Sequence, residues 1–246
     1  MKFALALLFA ASGVATAQSP PHVVMLIAER EYQTDKTLAI FARQHLDGHY
    51  RTTLVFADHE DPNRLDGIEV IREADVVLVS VRRRTLPKAQ LDLIREYVAA
   101  GKPVIGIRTA SHAFCLRNGA APKGRAVWPQ WDAEVFGGNY TNHYGNQLQA
   151  TITRQPSSPH QQLLLRGISP EPIAAGGSLY KVSPLVTGAT PLLWGRVDGH
   201  DAEPVAWTYT RKDGGKSFYT SLGHVDDFGG SMLPTLLVNA IAWATE

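Results

Sequence analysis

Cysteine is nearly absent from this 246-residue chain: Cys115 is the only one. A lone thiol excludes an internal disulfide, so the core must supply the stability. Its flanks in HAFCLR are apolar, which suits a buried, inert thiol better than a nucleophile. An excess of one charge is also lacking. Setting aside Lys2, 23 basic residues face 23 acidic ones. With no global field to gather nucleic acid or an anionic membrane, both drop out as partners. VRRRT (81–85) is the one tight basic run and reads as a solvated loop. Apolar runs of membrane-spanning length are missing too. FALALLFAA, preceded by Lys2 and followed by ATA before Gln18, is too short to span. It has the layout of a secretory signal peptide over residues 1–17. The expectation is an exported protein, periplasmic or secreted, with one domain over residues 18–246 and homo-oligomerisation left open.

What is present is an alternation of strands and helices. HVVMLIA (22–28) is a continuous β-branched apolar run, as expected for a strand covered on both faces. TDKTLAIFARQHL follows at helical spacing, with Thr34 as its expected N-cap. RTTLVFA (51–57) and ADVVLVSV (74–81) read as strands. A helix from Pro87 then ends at Gly101 and Pro103, and PVIGI follows at once as the fourth strand. This predicts an α/β fold with a doubly wound, mostly parallel sheet. The C-terminal half adds shorter strands: QLQATITR, PLLWGRV, PVAWTYTR and KSFYTSLGH. RKDGGKS joins the last two as a hairpin turn, and MLPTLLVNAIAWAT closes the chain as a helix.

The turn after the fourth strand, RTASH, occupies the sheet edge where ligands meet chemistry in open α/β folds. Arg108 offers a planar fork of donors for an anionic or hydroxyl-rich ligand, or a structural ion pair. Ser111 lacks the strained G-x-S-x-G setting of a hydrolase nucleophile and reads as a helix cap or a substrate contact. His112 would lie one turn inside a helix N-terminus, where the dipole keeps imidazole neutral and available as base or ligand. His143 ends the loop VFGGNYTNHYG, and His224 follows Gly223 at a strand end. Glu29 and Glu31 follow the first strand. Glu29 is the better candidate to position substrate, or to pair with Arg108. Trp128, Trp131 and Tyr180 are aromatic faces suited to a sugar ring, with core packing as the competing reading.

Several of these pieces together resemble the trehalose-utilisation (ThuA-like) family: LPKAQLDLIREYVAAGKPVIGIRTASHAF, VFGGNYTNHYG, and PVAWTYTRKDGGKSFYTSLGHVDDF followed by LLVNAIAWA. The resemblance implies a flavodoxin-like, class I glutamine amidotransferase-like fold. It also implies a link to disaccharide or keto-sugar catabolism, with a small-molecule carbohydrate as partner. His143 and His224 fall on the family's two histidine positions. The chain departs from the family at Arg108, where the family often has histidine in a G-x-H pattern. Amidotransferases carry a cysteine nucleophile at this position. Arginine cannot attack an acyl carbon, so amidotransferase activity is excluded.

His112, His143 and His224, joined by Glu29, Glu31, Asp226 or Asp227, can act in two ways. They can hold a divalent metal such as zinc, or move protons without one. Hydrolysis, isomerisation and elimination all fit. A non-catalytic sugar-binding module is the alternative. It would need the aromatics and Arg108 but not the histidines.

Overall fold

The computed structural model describes residues 19–154 and 159–246, so the leader read over residues 1–17 lies outside the described residues. Nine strands form one sheet: β1 (His22–Ala28), β2 (Arg51–Phe56), β3 (Val76–Val81), β4 (Val104–Ile107), β5 (Thr151–Arg154), β6 (Ile173–Ala174), β7 (Ala189–Arg196), β8 (Glu203–Thr210) and β9 (Lys216–Thr220). Their order is β2-β1-β3-β4-β9-β8-β7-β5-β6. The first five in that order are mutually parallel, and the remaining pairings are antiparallel. The sheet is therefore mixed: a parallel half built by the N-terminal crossovers and β9, and an antiparallel half built by hairpins.

The unbroken apolar strands are explained by what covers them. In β1, Val23, Met25 and Ile27 face the layer made by helix α1 (Thr34–Phe41) and helix α4 (Met232–Thr245). Val24, Leu26 and Ala28 face the opposite layer, with helix α2 (Lys88–Ala99) and the turn Ile68–Glu73. Every residue of β1 is buried. A polar residue on either face would forgo about 1.5–3 kcal/mol of burial. A short helix α3 (Pro159–Leu164) packs beside α4.

Several local expectations shift. Thr34 is not the N-cap of α1: Gln33 holds that position at φ 56°, and Thr34 lies inside the first turn. After Phe41 the helix widens into a π turn, Ala42–Leu46. Of the two glycines in the β8–β9 hairpin, only Gly214 has positive φ. Beside it, buried Arg211 donates to the carbonyls of Val98 (3.3 Å) and Lys102 (2.8 Å), fastening the hairpin to the end of α2. No helix among the described residues is long and apolar enough to cross a membrane.

Candidate active site

The carboxyl ends of β1, β3 and β4 open on one side of the sheet. The chain leaves β1 in one direction for β2 and crosses back to β3 on the other flank. The gap between them is a topological switch point, the usual ligand position in such sheets. A cleft of about 480 Å³ lies there. It is lined by Glu31 and Tyr32 after β1, Arg82 and Arg83 after β3, and His112, Leu116 and Arg117 after β4. The 140–143 loop and Tyr180 close it.

Backbone bonds hold these loops in register. The amides of Arg83 and Arg84 donate to the carbonyls of His112 (3.1 Å) and Ala113 (2.7 Å), joining the β3 and β4 loops. Glu29 fixes the β1 loop. Its carboxylate accepts the amides of Glu31 (2.8 Å), Tyr32 (2.9 Å) and Thr34 (2.8 Å), and the Thr34 hydroxyl (2.6 Å). The expected contact of Glu29 with Arg108 does not form, because the loop amides engage both of its oxygens. Opposite, Asn142–His143 pairs antiparallel with Tyr180–Lys181, making His143 and Tyr180 cross-strand neighbours with ring centroids 6.5 Å apart.

RTASH is a single 3-10 turn rather than the start of an α-helix. The N-terminal helix dipole expected at His112 is therefore missing. His112 is neutral for other reasons. Burial, then the charges of Arg83, Arg82, Arg117 and Arg108, lower its pKa to about 3. Its ring stacks on Tyr140 at 4.5 Å, and its Nδ1 lies 3.0 Å from the Ser111 hydroxyl. Ser111 is 3 % exposed and orients that imidazole. Burial also raises the pKa of Cys115, which leaves the thiol inert at neutral pH.

Arg108 follows β4 directly and sits in strained, left-handed backbone, with φ at 43°. Its buried guanidinium lies between the rings of Tyr32 (4.3 Å) and Tyr180 (4.9 Å) and donates to the Ser221 carbonyl at 2.9 Å. Two glycines admit it. A Cβ on Gly177 would stand 2.6 Å from the guanidinium, and one on Gly223 would stand 3.1 Å from the Arg108 Cβ. Arg108 thus braces the two tyrosines that wall the cleft.

His224 does not line the cleft; Tyr32 lies between, with ring centroids 5.6 Å apart. His224 caps the turn Val225–Gly229, its Nδ1 accepting the Asp226 amide, while Asp227 accepts the amides of Gly176, Gly223 and His224. The three histidines therefore do not share a centre. The His143 Nδ1 is also committed, 2.6 Å from the Tyr144 carbonyl. Among the described residues, no group of three or more His, Cys, Asp or Glu side chains is placed to hold a metal ion. The expected zinc set does not fit this geometry.

The tryptophans lie elsewhere. Trp131 is 1 % exposed, and its indole donates to the Ala110 carbonyl at 2.7 Å beneath the RTASH turn. Trp128 borders a different, more apolar cavity beside Val186 and Tyr209. The largest omission from the sequence reading is Arg82–Arg83. VRRRT is no plain solvated loop: Arg82 pairs with Glu31 at 2.7 Å, and Arg83 lines the cleft. The rule that singled out Glu29 and Arg108, proximity to a strand's carboxyl end, applies equally to the residues after β3.

An open α/β sheet with a polar, aromatic-walled cleft at its switch point defines the class: an α/β protein with a candidate ligand cleft. Sequence comparison makes this specific. The family model for ThuA, described as trehalose utilisation, matches residues 23–244, and the chain belongs to that family. Among solved structures, a ThuA-like protein from Bacteroides uniformis is similar at TM-score 0.65 and 16 % identity, covering 94 % of each chain. One from Parabacteroides merdae is similar at TM-score 0.60 and 14 % identity, covering 92 % of this chain and 90 % of the other. No curated protein matches.

Proposed function

We propose that this ThuA-family protein is exported and acts on a small carbohydrate, a disaccharide or keto-sugar, in the switch-point cleft. Family membership supports the link to trehalose utilisation. The observation that carries the site assignment is the gathering of His112, His143, Tyr140 and Tyr180 around one cleft of disaccharide size. In this reading the doubly wound half of the sheet is of the glutamine amidotransferase-like lineage, with Arg108 where a nucleophile would be.

The chemistry divides among these residues. His143 is the proton-transfer group. Burial raises the pKa of Tyr140 and, further, that of Tyr180, so both remain phenols and donate to sugar hydroxyls. His112, neutral and oriented by Ser111, hydrogen-bonds the sugar as imidazole, not imidazolium. Arg108 positions Tyr32 and Tyr180, and His224 holds the turn behind Tyr32. A second reading, a non-catalytic sugar-binding module, draws support from the diversion of His224 to capping, which leaves a single histidine for proton transfer.

A panel of trehalose, sucrose and keto-disaccharides, followed by NMR for product and by calorimetry for binding, separates the two. The enzyme reading expects turnover of at least one sugar. It also expects His143→Ala to lower that turnover by about 100-fold or more with binding kept. Binding without turnover by the wild type selects the module, and no binding to any sugar removes both.

A further inference from the structure

The cleft is more basic than the chain that holds it. Overall the protein carries 24 basic and 23 acidic residues, yet the cleft lining has Arg82, Arg83 and Arg117 against a single carboxylate, Glu31. Glu31 is already engaged by Arg82. Neither Arg83 nor Arg117 forms an ion pair with any carboxylate among the described residues. The Arg83 Nε is buried with no hydrogen-bond partner, and its Nη1 reaches the weak Cys115 sulfur at 4.0 Å. Leaving a buried charged donor unsatisfied is costly, and so is strained backbone, yet Arg83 shows both, with φ at 50°. Arg108, also without a bonded carboxylate, adds its charge behind Tyr32 and Tyr180.

The hydroxyls of a neutral sugar accept hydrogen bonds from guanidinium groups but leave their charge uncompensated. We infer that the ligand of this cleft carries an anionic group, a carboxylate or phosphate on the sugar, held between Arg83 and Arg117 with the ring against Tyr140 and Tyr180. This rests on the carbohydrate reading of the same cleft and names its substrate class. A planar guanidinium fork suits either oxyanion, and a positive cleft in a neutral protein focuses anions. The nearby imidazole fits the same picture, since His112 is kept uncharged and so leaves the arginines as the cleft's cations.

Calorimetry on the purified protein tests it with four probes: glucose, glucuronate, glucose 6-phosphate and inorganic phosphate, each at low and high salt. The expected result is that glucuronate or glucose 6-phosphate binds at least about tenfold more tightly than glucose and weakens with salt; which of the two binds identifies the oxyanion. Arg83→Gln and Arg117→Gln should each remove most of that preference, bringing the affinity for the anionic sugar toward that for glucose. Arg117 is exposed, so its variant reports even if the Arg83 variant folds poorly. Equal affinity for glucose and both anionic sugars overturns the inference while the carbohydrate reading stands. Binding of inorganic phosphate with no sugar bound overturns the carbohydrate reading instead and keeps the anion site.

Discussion

His112 is the residue whose environment makes the most definite claim. The folded protein refuses it a proton until about pH 3, whereas in the unfolded chain imidazole accepts one below about pH 6.5. Stability is therefore lost progressively as pH falls from about 6.5 toward 3, on the order of 4 kcal/mol over that window. Asp132 acts in the opposite sense. Burial raises its pKa to about 7, so its contribution falls as pH rises from about 4 to 7. The wild-type profile mixes the two, and the difference between wild type and His112→Gln isolates the histidine. Urea midpoints at several pH values should show the wild type losing more stability than the variant between pH 6.5 and 4. Parallel profiles would contradict the account. Arg108 gives a second test. A lysine cannot reproduce the stacking between Tyr32 and Tyr180 or the fork to Ser178 and Ser221. Arg108→Lys should cost about 2 kcal/mol in chemical denaturation, and a neutral result would remove its bracing role.

At the scale of elements, the loop after β1 is held by one side chain. Glu29→Ala should cost about 2–3 kcal/mol and speed hydrogen exchange at the amides of Glu31, Tyr32 and Thr34. Glu29→Gln should recover less than half of this, because its NH₂ would face backbone N–H groups. Unchanged exchange would show that the loop is held by something else. In β4, a Cβ at Gly106 would stand 2.4 Å from the Phe136 ring, so Gly106→Ala should destabilise by about 2 kcal/mol or more in thermal unfolding. These elements differ in how readily the sequence declared them. β1, β3, α2 and α4 were legible because burial on two faces, or helical spacing closed by Gly101 and Pro103, leaves a periodic trace. The RTASH turn was not. Its first carbonyl, that of Arg108, accepts from the Tyr219 hydroxyl at 2.5 Å across 111 residues, a contact no local pattern encodes.

At the scale of the molecule, the site was half legible. Arg108, Ser111 and His112 do meet at the cleft or its wall, because the strand-end rule is a property of the fold; His143 and Tyr180 join them through the pairing of Asn142–His143 with Tyr180–Lys181. His224 and Trp131 do not, since a histidine that caps a turn and a tryptophan that fills a core look the same in sequence as ones that bind sugar. The arginines after β3 were overlooked because a basic run resembles a solvated loop until the sheet order places it beside His112. The central claim is that carbohydrate enters between His112 and His143 and not at His224 or Trp128. The direct measurement is the histidine and tryptophan ring spectrum of the isotopically labelled protein, assigned by single variants, during titration with trehalose and glucuronate. The account predicts that the His112 and His143 resonances move with a saturable dependence on sugar while those of Trp128 stay fixed and His224 shifts little. Movement at His224 or Trp128 with His112 and His143 unchanged would contradict it.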